Sequence, residues 1–383
     1  MKILFLAPQP FFQERGTPIA VQLALQVLAA RVGQGRGEII DLLTYKEGED
    51  VQIPGVTIHR INTPKFLSGV GPGISWKKLA CDLFFLIKAL QLVWSARRNQ
   101  YDLVHAVEES VFIAWLIKLI WKVPYIYDMD SSLAMQLTEK WWVLRPFFPI
   151  IEWFEKLAVR SSIAVVPVCD ALAAIANRHG SSETLVLRDI SLLSENRNSE
   201  VEDLRATVGM TPEEQLILYV GNLEPYQGID LLLEGFGLAE KGGARAALIV
   251  IGGSQQHITY YSKKAQALQI KRAFFVGPRP ISRLSEYILQ ADILASPRVR
   301  GNNTPMKIYS YLHSGRAIIA TALYTHTQLL TEEISLLVEP NVEKFGAGLK
   351  SLVSDDALRQ RIGKRARALA EDLYTLPVFT RRL

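Results

Sequence analysis

The chain has 383 residues, 49% hydrophobic and 21% charged, with 43 Lys and Arg against 38 Asp and Glu for a net charge of +5. That length predicts two domains of roughly 150–200 residues, and that composition excludes a disordered chain. The small basic excess suits an anionic small molecule or membrane surface and predicts no nucleic-acid partner, while Cys81 and Cys169, the only cysteines, exclude a disulfide framework and fit a reducing, cytoplasmic compartment.

The opening MKILFLAPQP has one lysine, a short apolar run and no small-residue cleavage site after it, so it reads as a first strand over Lys2–Ala7. Further apolar runs predict strands at Ile39–Thr44, Val56–Arg60, Asp102–Ala106, Pro124–Asp128 and Ile163–Pro167. Helical stretches are expected between them, at about 17–33, 75–99, 109–122, 147–160 and 169–179. The most apolar of these, LACDLFFLIKALQLVW, is interrupted by Asp82 and Lys88, so no membrane span is expected. A polar interval follows, and the rhythm restarts at LILYVGN, continuing through AALIVIGG, AFFVGP, DILASP, AIIATA and SLLVEP. Apolar strands alternating with amphipathic helices predict an α/β chain of two doubly wound parallel sheets in tandem. The expected boundaries are 1–185 for the first domain, 186–214 for a linker, 215–370 for the second domain, and 371–383 for a tail packing back on the first.

In open α/β sheets ligands bind beyond the carboxyl ends of the strands, so the loops there carry the candidates. After the first strand, Gly16 and Thr17 open a helix whose free N–H groups could hold a phosphate, or simply start an ordinary helix. After the restart strand, Gly221 ends the strand and Gly228 opens the next helix. The segment DILASPRVRGNNTPMKIYSYLHSGRAIIAT brings Arg298, Arg300 and Lys307 near one helix start, with Asn302, Asn303 and Thr304 as hydrogen-bonding groups. Cations at a positive helix end suit a diphosphate; the alternative is a solvated basic loop capped by Thr304. Asp128 and Asp130, at the end of PYIYDMDSS, either orient a sugar or cap the following segment. No His/Cys/Asp spacing suggests a metal site.

Over nearly its whole length the chain resembles the GT-B glycosyltransferases of the family 4 type, which are nucleotide-sugar-dependent and retaining. The resemblance rests on Gly221-Asn222-Leu223-Glu224-Pro225-Tyr226-Gln227-Gly228, on IVIGGS, FFVGP, Pro305-x-Lys307, Tyr311-Leu312, SGRAIIAT and LLVEP, and on DLVHAVEES, VPYIYDMDS and EKLAVRSSIAVVPVCDAL in the first half. It implies two Rossmann-like domains facing a cleft and no cofactor. The donor implied is a UDP- or GDP-linked sugar, and the acceptor a glycan, lipid-linked or small molecule. The family's phosphate-binding Arg and Lys fall on Asn222 and Gln227, and its glutamate pair on Asn302 and Ser310, the latter a ribose-binding position. Its histidine after the fourth strand falls near Val107, leaving His105 within the strand and Glu108 at its end. Arg298 and Lys307 are then the replacements for the missing cations, and Gly277, Pro278 and Arg279 lie at the base-binding loop. The expected catalytic set is Asp130, Glu108 and Lys307. A scaffold that binds nucleotide or a partner without catalysis is the competing expectation, and an epimerase on the same architecture is a more distant one.

One feature stands apart from the resemblance. All seven tryptophans, at 76, 94, 115, 121, 141, 142 and 153, fall in the first half among Lys77, Lys78, Lys88, Arg97, Arg98, Lys118, Lys122, Lys140 and Arg145. Tryptophan with cations on amphipathic helices suggests peripheral contact with the inner face of a membrane; a core-facing stripe is the alternative.

Overall fold

The computed structural model describes residues 1–13, 16–31, 39–71, 75–96, 100–193 and 202–383, without the side chains of residues 139, 140 and 143. Expectations placed on Arg97, Arg98, the Lys140 side chain and part of the 186–214 linker lie outside the described residues. The chain divides into two compact units, Met1–Arg188 with Arg382–Leu383, and Asp189–Arg381.

The first unit is built on β1 (Lys2–Leu6), β2 (Ile39–Thr44), β3 (Val56–Arg60), β4 (Leu103–Val107), β5 (Tyr125–Met129) and β6 (Ala164–Pro167). All pair in parallel, in the order β3-β2-β1-β4-β5-β6. The inner strands are mostly apolar because both faces of the sheet are covered, whereas the edge strand β3, VTIHR, carries Thr57, His59 and Arg60. Leu4 and Leu6 of β1 join one buried cluster with Phe85, Val104 and Tyr125. Phe5 and Ala7 join a second with Val21, Leu25 and Leu42. Alternate side chains of a single strand thus feed opposite cores.

The helix Trp76–Ser95 starts at Ser75, whose side chain accepts the Lys78 N–H, satisfying one of the donors a helix start leaves free. It buries Cys81, Phe85, Ala89 and Val93, a stripe repeating every fourth residue. Its other side leaves Trp76, Leu79, Leu83, Ile87 and Trp94 exposed. The tryptophans therefore split. Trp115 and Trp121 pack on the core, whereas Trp76, Trp94, Trp142 and Trp153 are more than half exposed, at 63%, 56%, 75% and 54%. Neither the core stripe nor the open surface accounts for the whole set.

The second unit repeats the plan with β7 (Gln215–Val220), β8 (Ala246–Ile251), β9 (Ala273–Gly277), β10 (Ile293–Ser296), β11 (Ala317–Thr321) and β12 (Leu336–Val338), ordered β12-β11-β10-β7-β8-β9 and all parallel. Ile217 and Tyr219 face one core and Leu216 and Leu218 the other. In each unit the strand order reverses direction beside the first strand, between β1 and β4 and between β7 and β10. In open α/β sheets ligands bind at such a switch point, beyond the carboxyl ends of the strands. The segment after β5 forms a helix at Leu133–Lys140, capped by Ser132 and not by Asp130, and elements additional to the expected set include short helices at Leu204–Thr207 and, in the tail, at Leu376–Arg382.

Candidate functional site

In the second unit the loops after β7 and β10 touch. The Val299 N–H donates to the Tyr226 carbonyl (2.9 Å), and the Arg298 guanidinium lies 5.2 Å over the Tyr226 ring. Gly228 turns the first loop with φ +74, where a Cβ would run into the Pro297 carbonyl and lie 3.1 Å from Val299. Only glycine fits this crossing. The Tyr219 hydroxyl donates to the Asn222 carbonyl (2.6 Å), and Asn222 Oδ1 accepts the Glu224 N–H (3.3 Å), which fixes the start of the loop.

Lys307 begins the helix Lys307–Ser314. Its Nζ lies 3.9 Å over the Tyr219 ring and has no hydrogen-bond partner. Burial pushes this amine well below the usual lysine range, and the Arg298 cation adds to the effect. A cation at the positive end of a helix is further disfavoured. Two more buried polar atoms without a protein partner sit on the same loops, Gln227 Oε1 and Thr304 Oγ1. Buried polar groups are normally paired, at a cost of about 1–3 kcal/mol each when they are not. An amine and a hydroxyl left unpaired in this way suit an anion, which would accept from both.

The Arg298 guanidinium is a strut for the loop. It donates to the Arg300 carbonyl (2.8 Å), to the Asn303 carbonyl (2.9 Å), to Asn303 Oδ1 (3.1 Å) and to Thr325 Oγ1 (3.2 Å). These four acceptors are neutral groups. Behind it lies His326, fully buried, whose Nδ1 faces the Thr321 carbonyl (2.9 Å) and whose Nε2 faces Ser296 Oγ (2.8 Å). Thr321 Oγ1 donates to the Arg298 carbonyl, so it can only accept from Nδ1. That assigns the imidazole proton to Nδ1 and makes Nε2 the acceptor from Ser296. Burial pushes the ring down to about 3, with the Arg298 cation adding to the effect, so it stays neutral.

In the first unit the corresponding strand ends carry Glu108, which follows β4 with φ +50, and Asp130, which follows β5. Lys78 pairs with Glu109 and donates to the Pro8 carbonyl (2.8 Å), while the Tyr45 hydroxyl donates to Asp82. Burial pushes Asp82 from 3.8 up to about 6, with Lys78 opposing and Glu109 adding. A carboxyl whose folded pKa lies above its unfolded one stabilises fully at low pH and loses that contribution as pH rises through the folded value. The first unit is thus expected to weaken between about pH 4 and 6, and Asp82→Asn to remove that slope, adding at most about 3 kcal/mol near pH 7. All the tryptophans lie in the first unit, so urea unfolding followed by tryptophan fluorescence checks this unit alone.

Comparison with known proteins gives the fold and site a context. Residues 200–369 match the family model for glycosyl transferases group 1, and residues 23–217, half of the chain, match that for the glycosyl transferase 4-like domain. The chain belongs to the GT4-type glycosyltransferases. Its sequence is 22% identical to a D-inositol 3-phosphate glycosyltransferase of Corynebacterium efficiens, over 86% of this chain and 81% of that protein. It is also 22% identical to an uncharacterised glycosyltransferase of Methanocaldococcus jannaschii, over 88% and 85%. Sucrose-phosphate synthase from Thermosynechococcus elongatus superimposes with a TM-score of 0.76 at 19% identity, covering 99% of this chain and 96% of that one. Anabaena HepE in complex with UDP-glucose does so with 0.74 at 15% identity, covering 100% and 97%. These likenesses establish the GT-B fold.

In this glycosyltransferase the expected donor residues do not all converge. Gly221, Asn222, Gln227, Arg298, Asn303 and Thr304 lie on the two touching loops and Lys307 opens the helix that follows the second; a Cβ on Gly221 would be 3.4 Å from Lys307 Nζ. The Asn302 carbonyl accepts from Gln328 (2.8 Å), tying that loop to the turn that carries His326. Three groups are engaged elsewhere. Ser310, at the expected ribose position, is buried and accepts the Leu192 N–H (3.0 Å). Arg279 is held by both oxygens of Glu202 (2.9 and 2.8 Å), which neutralises it. Gly277 follows on the strand edge, its carbonyl accepting from Gly252 (2.9 Å). Gly16 and Thr17 stand in the first turn of Gly16–Arg31 in the first unit, with open space around Gly16. Of the alternative, a solvated loop capped by Thr304, the cap is absent, since Thr304 Oγ1 has no hydrogen-bond partner; Arg300 and Gly301 are exposed, whereas Arg298, Thr304 and Pro305 are buried. Tyr219 and His326 escaped the sequence reading, since a lone tyrosine in a strand and a lone histidine in a turn carry no pattern.

Proposed function

We propose that this glycosyltransferase moves a hexosyl group from a nucleotide-diphospho-sugar to an acceptor hydroxyl with retention, and that Lys307 holds the leaving diphosphate. The observation carrying this is the buried Lys307 amine without an acceptor, facing Arg298 across the two loops. Solved neighbours are described in complex with UDP and with UDP-glucose, which supports a UDP-sugar donor; curated relatives carry the name of an inositol phosphate glycosyltransferase, which supports a small polyol or sugar acceptor. The bond from the anomeric carbon to the diphosphate breaks as the acceptor oxygen bonds on the same face, and the hydroxyl proton passes to the departing phosphate. Positioning and charge stabilisation are then the protein's contribution. Thr304, Asn303, Gln227 and the Gly221–Asn222 backbone complete the donor site, and Glu108 and Asp130 orient the acceptor. Charge neutralisation is assigned to the two cations and no metal is required.

The competing reading, a scaffold that binds without turnover, draws on Asn302 and Ser310 in place of the glutamate pair. Incubation with UDP- and GDP-hexoses, with sugar, polyol and polyprenyl-phosphate acceptors, separates the two. Transfer, or slow donor hydrolysis, supports the enzyme; binding without either supports the scaffold.

The acceptor side also bears on membranes. Among the described residues no helix is long and apolar enough to cross one. The exposed Trp142, Phe147, Ile150 and Trp153 lie beside Arg145 on consecutive turns, which suits peripheral contact with an anionic surface. The double change Trp142→Ser and Trp153→Ser is expected to reduce co-sedimentation with phosphatidylglycerol vesicles several-fold. Unchanged partitioning would remove the membrane from the reading.

A further inference from the structure

Lys307 Nζ is sealed from solvent and has no acceptor, with the Tyr219 ring 3.9 Å away. Among the described residues it makes no ion pair. The charge acting on it is the like charge of Arg298. Among the described residues the titratable groups acting on it are Tyr219 from β7, Arg298 from the β10 loop and His326 from the helix after β11, with Tyr311 beyond Tyr219. Burial raises both tyrosines above their ordinary range, and Tyr311 Oη already accepts the Val220 N–H (3.1 Å). His326 is neutral, its proton held toward Thr321. Among the described residues nothing beside Lys307 supplies a negative charge, and an uncompensated buried ammonium favours giving up its proton.

We infer that Lys307 is an uncharged amine in the free protein and takes up one proton from solvent when the donor's diphosphate binds. The inference rests on the donor site proposed above. The proton bonds to the Nζ lone pair, the phosphate oxygens accept from the new ammonium, and the proton returns to solvent when the diphosphate leaves. The site thus matches its charge to the ligand: it is less cationic when empty and gains a full charge where the leaving group needs it. Binding and protonation are then linked, so donor affinity falls with rising pH, approaching tenfold per unit wherever the amine is neutral in the free protein and charged in the complex.

Calorimetric titration of the full chain with UDP-glucose and with GDP-glucose, at about pH 8 in buffers of low and high ionisation enthalpy, reads the proton directly. The diphosphate diesters do not titrate there, so an uptake belongs to the protein. The expected result is about one proton per donor bound, with no uptake in Lys307→Met. Lys307→Arg, whose guanidinium is always charged, is expected to bind with a flat pH profile. Binding without uptake in the wild type, uptake that persists in Lys307→Met, or an unchanged pH slope in Lys307→Arg would each overturn the inference while leaving the donor site in place. Failure of both donors to bind would overturn the donor site itself, and the inference with it.

Discussion

Replacing Lys307 with methionine is expected to weaken nucleotide-sugar binding about 10- to 150-fold while making the folded protein more stable. A charge-assisted hydrogen bond to phosphate contributes about 1.5–3 kcal/mol, which sets the size of the loss. The gain has a separate cause. The amine is buried without an acceptor, beside a like charge and at the wrong end of a helix, and a methionine of similar length fills the same space with no polar group to desolvate. Removing that penalty is expected to add about 1–2 kcal/mol. A residue kept only for structure would lose stability on replacement. Opposite signs in donor titration and in thermal unfolding identify a group retained for its ligand; a fall in stability together with unchanged affinity would return Lys307 to the scaffold.

The second large effect is expected at Gly228. Its φ of +74 costs a side-chain-bearing residue about 1–2 kcal/mol, and a Cβ there would meet the Pro297 carbonyl, which belongs to the β10 loop. Relief requires the two loops to separate, which adds about 1–3 kcal/mol of overpacking. Gly228→Ala is therefore expected to cost about 2–5 kcal/mol in urea unfolding. It is also expected to abolish donor binding at temperatures where the second unit is still folded, because the Val299–Tyr226 bond that joins the loops is lost with it. By contrast, Gly16→Ala meets open space and is expected to leave folding unchanged.

The strands were legible because a parallel strand is buried on both faces, so that KILFL or AALIVI declares itself by composition with no need of its neighbours. The loops were legible as well: glycines, cations and small polar residues after apolar runs mark strand ends, and the resemblance carried by residues 221–228 and 305–312 implied a donor site in the second half. Departures from the family pattern were harder to weigh. Gln227 reads in sequence as a lost lysine; folded, it is a buried amide whose oxygen lacks a partner on a loop that crosses another. The helices around Trp142 hid their boundaries, because adjacent aromatic pairs show no period.

The one-dimensional chain was enough to establish an α/β protein with two sheets, the strand ends where chemistry belongs, and the residue types available there, since each of these follows from local pattern. Which cation is left without a hydrogen-bond acceptor was decided by tertiary structure alone. Arg298, Arg279 and Lys307 look equivalent in sequence, yet Asn303 and Thr325 occupy the first, Glu202 neutralises the second, and only aromatic surface meets the third. The strand order that sets β10 against β7 does the same for the loops, joining segments far apart in the chain. The physical reason is common to both. A charge's availability, and a loop's neighbours, depend on partners brought in by long-range pairing, and no local run of residues encodes them.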